Sequence, residues 1–276
     1  MFQSIKMQTA VLLKKKSVLL MYFLMLALVL GNFTINLLNS HGKDRIQLYH
    51  PMKLLLLSIW SYLGFYFTQF YPLLVVIPVA FSFLSDRNSR EIVFIQSRVG
   101  RKNYYIGKLI SAFLVTFLVF TIPLLLEILL SLIAYPLSAV GDPSNFGIYN
   151  LPAWEGEANY LFHSLWFYNG YLYAVVMIIL SGITSSILAT FALAISTFSF
   201  MKYKIFVFIP VYVLLQTTYY LDQAFGNHEY SVDYFGYLQI FDTQKKSELV
   251  YICFLLAIAL LSTVIAAVKI RKDEIL

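Results

Sequence analysis

Residues 85–108, SDRNSREIVFIQSRVGRKNYYIGK, hold six of the chain's twenty Lys and Arg between two apolar runs, 54–84 and 109–133. Each run is long enough to cross the hydrocarbon core of a bilayer, which takes about 20 residues of helix. Loops left on the cytoplasmic side of a membrane carry an excess of Lys and Arg. This basic segment therefore marks the cytoplasmic face and orients the rest of the chain.

The composition agrees. Hydrophobic residues make up 60% of the chain and charged residues only 12%, with a mean hydropathy of +0.75. So little charge cannot cover a water-facing surface, and an all-α integral membrane protein is expected. The net charge of +6 does not point to nucleic acid, because the basic residues stand at the ends of apolar runs rather than in one solvated patch. The single cysteine, Cys253, lies in the last run, so no disulfide can form within the chain. It reads as a small packing residue.

Six runs meet or approach the spanning length: 17–38, 54–84, 109–133, 171–198, 205–221 and 249–268. Lys14, Lys15 and Lys16 precede the first, as in a signal peptide, but its apolar part is too long and no small-residue cleavage site follows. It reads as an uncleaved span. The second run has 31 residues, about 46 Å if helical, so it must tilt, kink at Pro72 or Pro78, or project into the cytoplasm. With six spans and both termini inside, the cytoplasmic segments hold 15 Lys and Arg. The outer loops hold five: Lys43, Arg45, Lys53, Lys245 and Lys246. Removing one span would break that bias.

The larger outer loops, 135–170 and 222–248, are rich in rings. The first has no Lys or Arg and carries Phe146, Tyr149, Trp154, Tyr160, Phe162, Trp166, Phe167 and Tyr168. Aromatic side chains at that density suit the headgroup level, and both loops are expected to contain short interfacial or re-entrant helices. At the N-terminus Phe2, Ile5 and Leu12 fall near one face of a helix, with Gln3 and Lys6 away from it, as in a helix lying on the inner leaflet.

Motifs for chemistry are missing. Gly100 and Gly107 precede Lys108, but the spacing is not that of a phosphate loop and Leu109 stands where the magnesium-binding hydroxyl belongs. No zinc-protease helix, serine elbow or intramembrane carboxylate pair occurs, and the chain is not expected to be an enzyme. His41, His50, His163 and His228 show no ligand-like spacing and are expected to be solvated or interfacial, with no metal. Glu127 is the one acid well inside a span. Its insertion costs roughly 2.5–3.5 kcal/mol, so it either lines a path, fixes a helix interface, or is a hydrogen-bonded packing residue. Ser181, Ser185 and Ala189, with Gly182 and Ser186 beside them, recur every four residues, a spacing that lets helix backbones approach in lipid. Either a subunit interface or packing inside one subunit would use them.

The order of features in the basic segment is specific: Asp86-Arg87, Glu91, the apolar patch Ile92-Val93-Phe94-Ile95, Arg98-Val99-Gly100-Arg101, Tyr104-Tyr105, then Gly107-Lys108. It resembles the permease subunits of the ABC-2 family of ABC transporters. The resemblance implies six spans, N-in and C-in, with an N-terminal interfacial helix. It also implies a cytoplasmic coupling helix near 89–96 and a re-entrant region between spans five and six. Asp86, Arg87, Arg90, Glu91, Ile92, Val93, Phe94, Arg98 and Arg101 would then contact a separate ATPase. Two permease copies, identical or related, would work with two ATPase subunits, which would hold the ATP and magnesium. The loop 135–170 departs from the short loop usual in the family and points to an added outer element. An exporter of an amphipathic or hydrophobic cargo (a peptide toxin, bacteriocin, antibiotic or lipid-linked molecule) in a bacterial plasma membrane is the expectation. The alternatives are an ion-coupled secondary transporter using Glu127, which would ordinarily show paired repeats, and an integral membrane enzyme.

Overall fold

The apolar runs become helices wherever Pro, Gly and Ser do not interrupt them. The computed structural model describes residues 2–43, 50–89, 91–136, 159–198, 201, 203–226, 228–230, 232–241 and 246–274. In chain order the helices are α1 Phe2–Leu13, α2 Lys16–Ser40, α3 Gly64–Leu74, α4 Phe81–Asn88, α5 Glu91–Val99 and α6 Arg101–Ala134. They continue with α7 His163–Tyr168, α8 Gly170–Ile195, α9 Phe208–Phe225, α10 Tyr234–Leu238 and α11 Glu248–Glu274. Five are long and apolar enough to cross a membrane: α2, α6, α8, α9 with its leading turn (Lys204–Phe225), and α11. The chain is thus an all-helical, multi-pass membrane protein among its described residues. No strand occurs there, only an isolated bridge between Ser58 and Ile240.

The second run, expected to tilt, kink at Pro72 or Pro78, or project, is interrupted around Pro78 and also earlier, over 55–63. Residues 54–84 form no single helix: a 3-10 turn at Pro51–Leu54 leads into irregular backbone over 55–63, then α3, a second irregular stretch at 75–80, and α4. Pro78 has no N–H to continue the ladder, and Val76 and Ile77 bond three residues back, to Leu73 and Leu74 (both 3.3 Å). Ser17 Oγ caps the loosened Pro78 carbonyl (3.2 Å).

α6, about 51 Å of continuous helix, is the central strut. The helices α1, α2 and α8 pack along it, and α11 packs on α8. A Cβ at Gly182 would collide with Thr121 Oγ1 and stand 3.2 Å from the Phe117 ring, so glycine sets the close approach of α8 to α6. Ser181, Gly182, Ser185, Ser186 and Ala189 are all buried within this one chain. Ser185 Oγ meets Tyr71 Oη at 2.9 Å and Ser186 Oγ donates to the Gly182 carbonyl. The small-residue stripe is internal packing.

The face of α1 that packs on α6 is Ser4, Gln8 and Leu12, because polar side chains reach α6: Ser4 Oγ donates to the Asn103 carbonyl (3.1 Å) and Gln8 Nε2 to that of Tyr104 (3.1 Å). Phe2 is left exposed. Cys253 is exposed on the outer face of α11 rather than packed.

At the end of the bundle opposite α5, rings from separate segments form a cap. His50 lies 5.1 Å from Trp166 and 5.2 Å from Tyr171, while Trp166 meets Phe241 at 4.9 Å. Lys53 Nζ stands 5.4 Å above Trp166. The described parts of the two ring-rich loops contain short helices, α7 and α10. There Tyr160, Tyr234 and Tyr237 are buried and Phe167 and Tyr168 exposed. Phe146, Tyr149 and Trp154 fall outside the described residues.

Burial, and secondarily the Lys53 charge, pushes the His50 imidazole down to about 4 from its ordinary value near 6.5. The unfolded chain therefore binds a proton as pH falls through 6.5, while the folded chain does not until about pH 4. Stability is full above pH 6.5 and declines below it, by up to about 3 kcal/mol at pH 4. Thermal unfolding of the purified protein at pH 7 and pH 4.5 should show a large drop that His50→Gln reduces. An unchanged drop in that variant would place the sensitivity elsewhere.

Candidate functional site

The basic segment folds as α4, α5 and the start of α6, wrapped at one end of the bundle. Gly100 joins α5 to α6 with φ 82° and ψ 146°, a conformation open in practice only to glycine. Gly100 N–H bonds the Gln96 carbonyl (2.8 Å) and its own carbonyl takes the Tyr104 N–H (3.0 Å), so the reversal is hydrogen-bonded on both sides.

The helix α5 is amphipathic with its sides assigned. Ile92 and Ile95 pack against the core, and Gln96 and Val99, on the same face by helical spacing, are half-buried. Val93 and Phe94 point away and are 65% and 71% exposed. Glu91 and Arg98, three and four residues from Phe94 on the same helix, are exposed, as is Arg101 at the start of α6. The expected patch 92–95 is therefore split: Ile92 and Ile95 brace the helix and only Val93 and Phe94 are offered outward. Arg90 lies outside the described residues.

Asp86 and Arg87 also change role. Asp86 is buried and is not on the outward surface. Tyr104 Oη donates to its Oδ2 (2.8 Å), the Lys108 ammonium pairs with the same oxygen, and Lys15 Nζ reaches Oδ1 at 3.4 Å. One carboxylate thus ties α4 to α6 and to the α1–α2 turn. Lys108 is itself buried, so the pair is desolvated and hydrogen-bonded, with the neighbouring Tyr104 ring under the ammonium at 5.9 Å. Arg87, half-buried, donates to the carbonyls of Phe198 (3.3 Å) and Met201, anchoring the turn after α8. Lys15, Tyr104 and Lys108 were not expected to meet. The signal was present, since an acid closing one apolar run and a lysine opening the next have to be neutralised if both are buried.

At the far end, Glu127 is 1% exposed and binds backbone. The Leu56 N–H donates to both of its oxygens at 3.0 Å and Asn32 Nδ2 donates to Oε1 at 2.7 Å. Asn32 and Asn36 both donate to the Leu54 carbonyl, at 2.9 and 2.7 Å, and Ser61 Oγ donates to Asn32 Oδ1 (2.7 Å). Polar side chains inside α2 and α6 therefore satisfy backbone groups left open at the end of the turn Pro51–Leu54 and in the irregular stretch after it, as irregular backbone buried in a membrane protein requires. Glu127 is thus a buried acid whose hydrogen bonds join α6 to α2 and to the irregular backbone.

Comparison of the chain with family models, with curated proteins and with solved structures found no match. The functional reading rests on the residues themselves.

Proposed function

We propose that this chain is the permease subunit of an ATP-driven ABC exporter of the ABC-2 kind. The observation that carries the reading is α5: a short amphipathic helix with Val93 and Phe94 outward, rimmed by Glu91, Arg98 and Arg101 and braced from behind by Ile92, Ile95 and the buried Asp86 cluster. An exposed apolar pair inside a charged rim is the form of a small docking anchor, in which the apolar side chains bury area and the rim fixes register. A loop that merely binds headgroups needs the charge but not a rigidly held phenylalanine.

In this reading the discontinuous segment from 51 to 88 makes the second of six crossings, both termini are cytoplasmic, and α1 lies at the inner leaflet of a bacterial plasma membrane. Two copies, identical or related, work with two ATPase subunits that supply ATP and magnesium chemistry, and this chain hydrolyses nothing. The cargo is amphipathic or hydrophobic, leaving by a route that α5 movement opens. In this reading Glu127 serves to hold the irregular stretch to α6, through its bonds to Leu56 and Asn32.

The test is co-expression with phosphate-loop ATPases encoded beside it. Stable co-purification and vanadate-sensitive hydrolysis by the complex, with none by this chain alone, is the expected result. Hydrolysis by the isolated chain, or cargo export from vesicles on a proton gradient without ATP, would sink the proposal.

A further inference from the structure

We infer that the discontinuous segment between Pro51 and Asn88 is one mechanical element fastened to α6 at both ends by buried carboxylates, Glu127 at one end and Asp86 at the other, so that moving α4 and α5 loosens the irregular stretch at 55–63. This holds whatever α5 docks against.

Both fastenings converge on a single helix. Glu127 belongs to α6, and Asp86 is gripped by Tyr104 and Lys108 of α6. Lys108 and Glu127 are 19 residues apart in one continuous helix, about 28 Å along it, with Pro123 between them, so a single element spans both fastenings. Between the fastenings the segment has one joint, at 75–80. Val75, Val76, Val79 and Ala80 are buried, and Ser17 holds the Pro78 carbonyl. A close-packed joint passes a displacement along instead of absorbing it.

The far end is the part able to yield. Over 55–63 the backbone has no continuous ladder: isolated turns, Ser58 N–H to the Leu55 carbonyl (2.8 Å) and Ser61 N–H to that of Ser58 (3.1 Å), alternate with long-range bonds. The Leu56 N–H goes to Glu127, the Leu57 carbonyl takes the Ile240 N–H (2.8 Å), and the Ile59 N–H reaches the Ile240 carbonyl (3.4 Å). With no helical ladder to lose, such a stretch is expected to open before the helices around it, its resistance coming from the buried Leu55, Leu56 and Leu57. Because Ile240 follows α10, opening it also removes two of the bonds that hold the end of the described loop after α9.

Amide hydrogen exchange of the full chain in lipid nanodiscs, followed by mass spectrometry, tests the inference without any partner. Its outcome is therefore separate from the fate of the exporter reading. Glu127→Leu is expected to speed exchange over 55–61 by about tenfold or more while α8 and α11 keep wild-type rates. Asp86→Asn is expected to speed exchange in α4 and α5 and, by about threefold or more, in 55–61 as well. If Glu127→Leu does not assemble, Asn36→Leu, which removes only a donor to the Leu54 carbonyl, is expected to give the same local pattern more weakly. Wild-type exchange at 55–61 in the Asp86→Asn protein, despite a loosened α5, would overturn the inference. So would faster exchange spread evenly over every helix in any of the variants.

Discussion

Replacing Val93 and Phe94 together with Asp is expected to abolish co-purification with the proposed ATPase partner while leaving insertion, yield and thermal unfolding at wild-type values. Both side chains are exposed in the isolated chain, so nothing inside it is lost. At the interface each would place a carboxylate where an apolar anchor should be buried, and central anchors of this kind carry most of an interface's energy. The expected loss is about 100-fold or more in affinity. Ile92→Asp provides the contrast, since Ile92 packs inward and that change should damage the fold as well. Reversing Arg98 and Arg101 to Glu should alter the salt dependence and rate of association more than the final affinity. Normal assembly by the double-Asp chain would remove α5 from the docking surface.

The second large effect is at Asp86. Asp86→Ala leaves the Lys108 ammonium buried without its partner, a change that typically costs about 3–5 kcal/mol. The expected result is a chain that inserts poorly and unfolds at markedly lower denaturant concentration. Removing both charges should be far milder: Asp86→Leu with Lys108→Met is expected to recover most of the stability, because well-packed apolar groups replace a buried pair at little cost. Lys15, only half-buried and 3.4 Å from Asp86, should contribute less than about 1 kcal/mol in the same cycle. If the double variant is no more stable than the single one, the pair is not what holds α4 to α6.

The long helices were legible because their apolar runs are continuous. The runs 17–38, 109–133, 171–198 and 249–268 became α2, α6, α8 and α11, with α6 and α11 extended by several residues at their charged ends, where hydropathy falls but helix propensity does not. The second run was not legible by hydropathy, since 54–84 is as apolar as any span whether or not it is helical. Its breaks were written in other residues. Gly64, Ser58, Ser61 and Pro78 punctuate it, and Asn32, Asn36 and Glu127 stand in neighbouring runs with no obvious reason to be there until an open backbone needs them. The same blindness affected the basic segment. Composition marks 85–108 as one charged stretch, but burial depends on which charges find each other. Asp86 turned inward to Lys108 and Tyr104, Arg87 turned to two carbonyls, and the apolar patch divided along the helical period.

The bond between Leu56 and Glu127 joins residues 71 positions apart, and so it also constrains the order in which the chain can be made. While the ribosome is still translating the segment 85–108, α2 is present and can already offer Asn32 and Asn36 to the Leu54 carbonyl, yet the acceptor for the Leu56 N–H does not exist. A nascent second segment released into lipid at that moment would carry an open amide into hydrocarbon, at a cost of several kcal/mol. Biogenesis is therefore expected to hold this segment in the translocon or at its lateral gate until α6 has followed. The first three hydrophobic stretches would then leave together as a preassembled unit rather than one helix at a time.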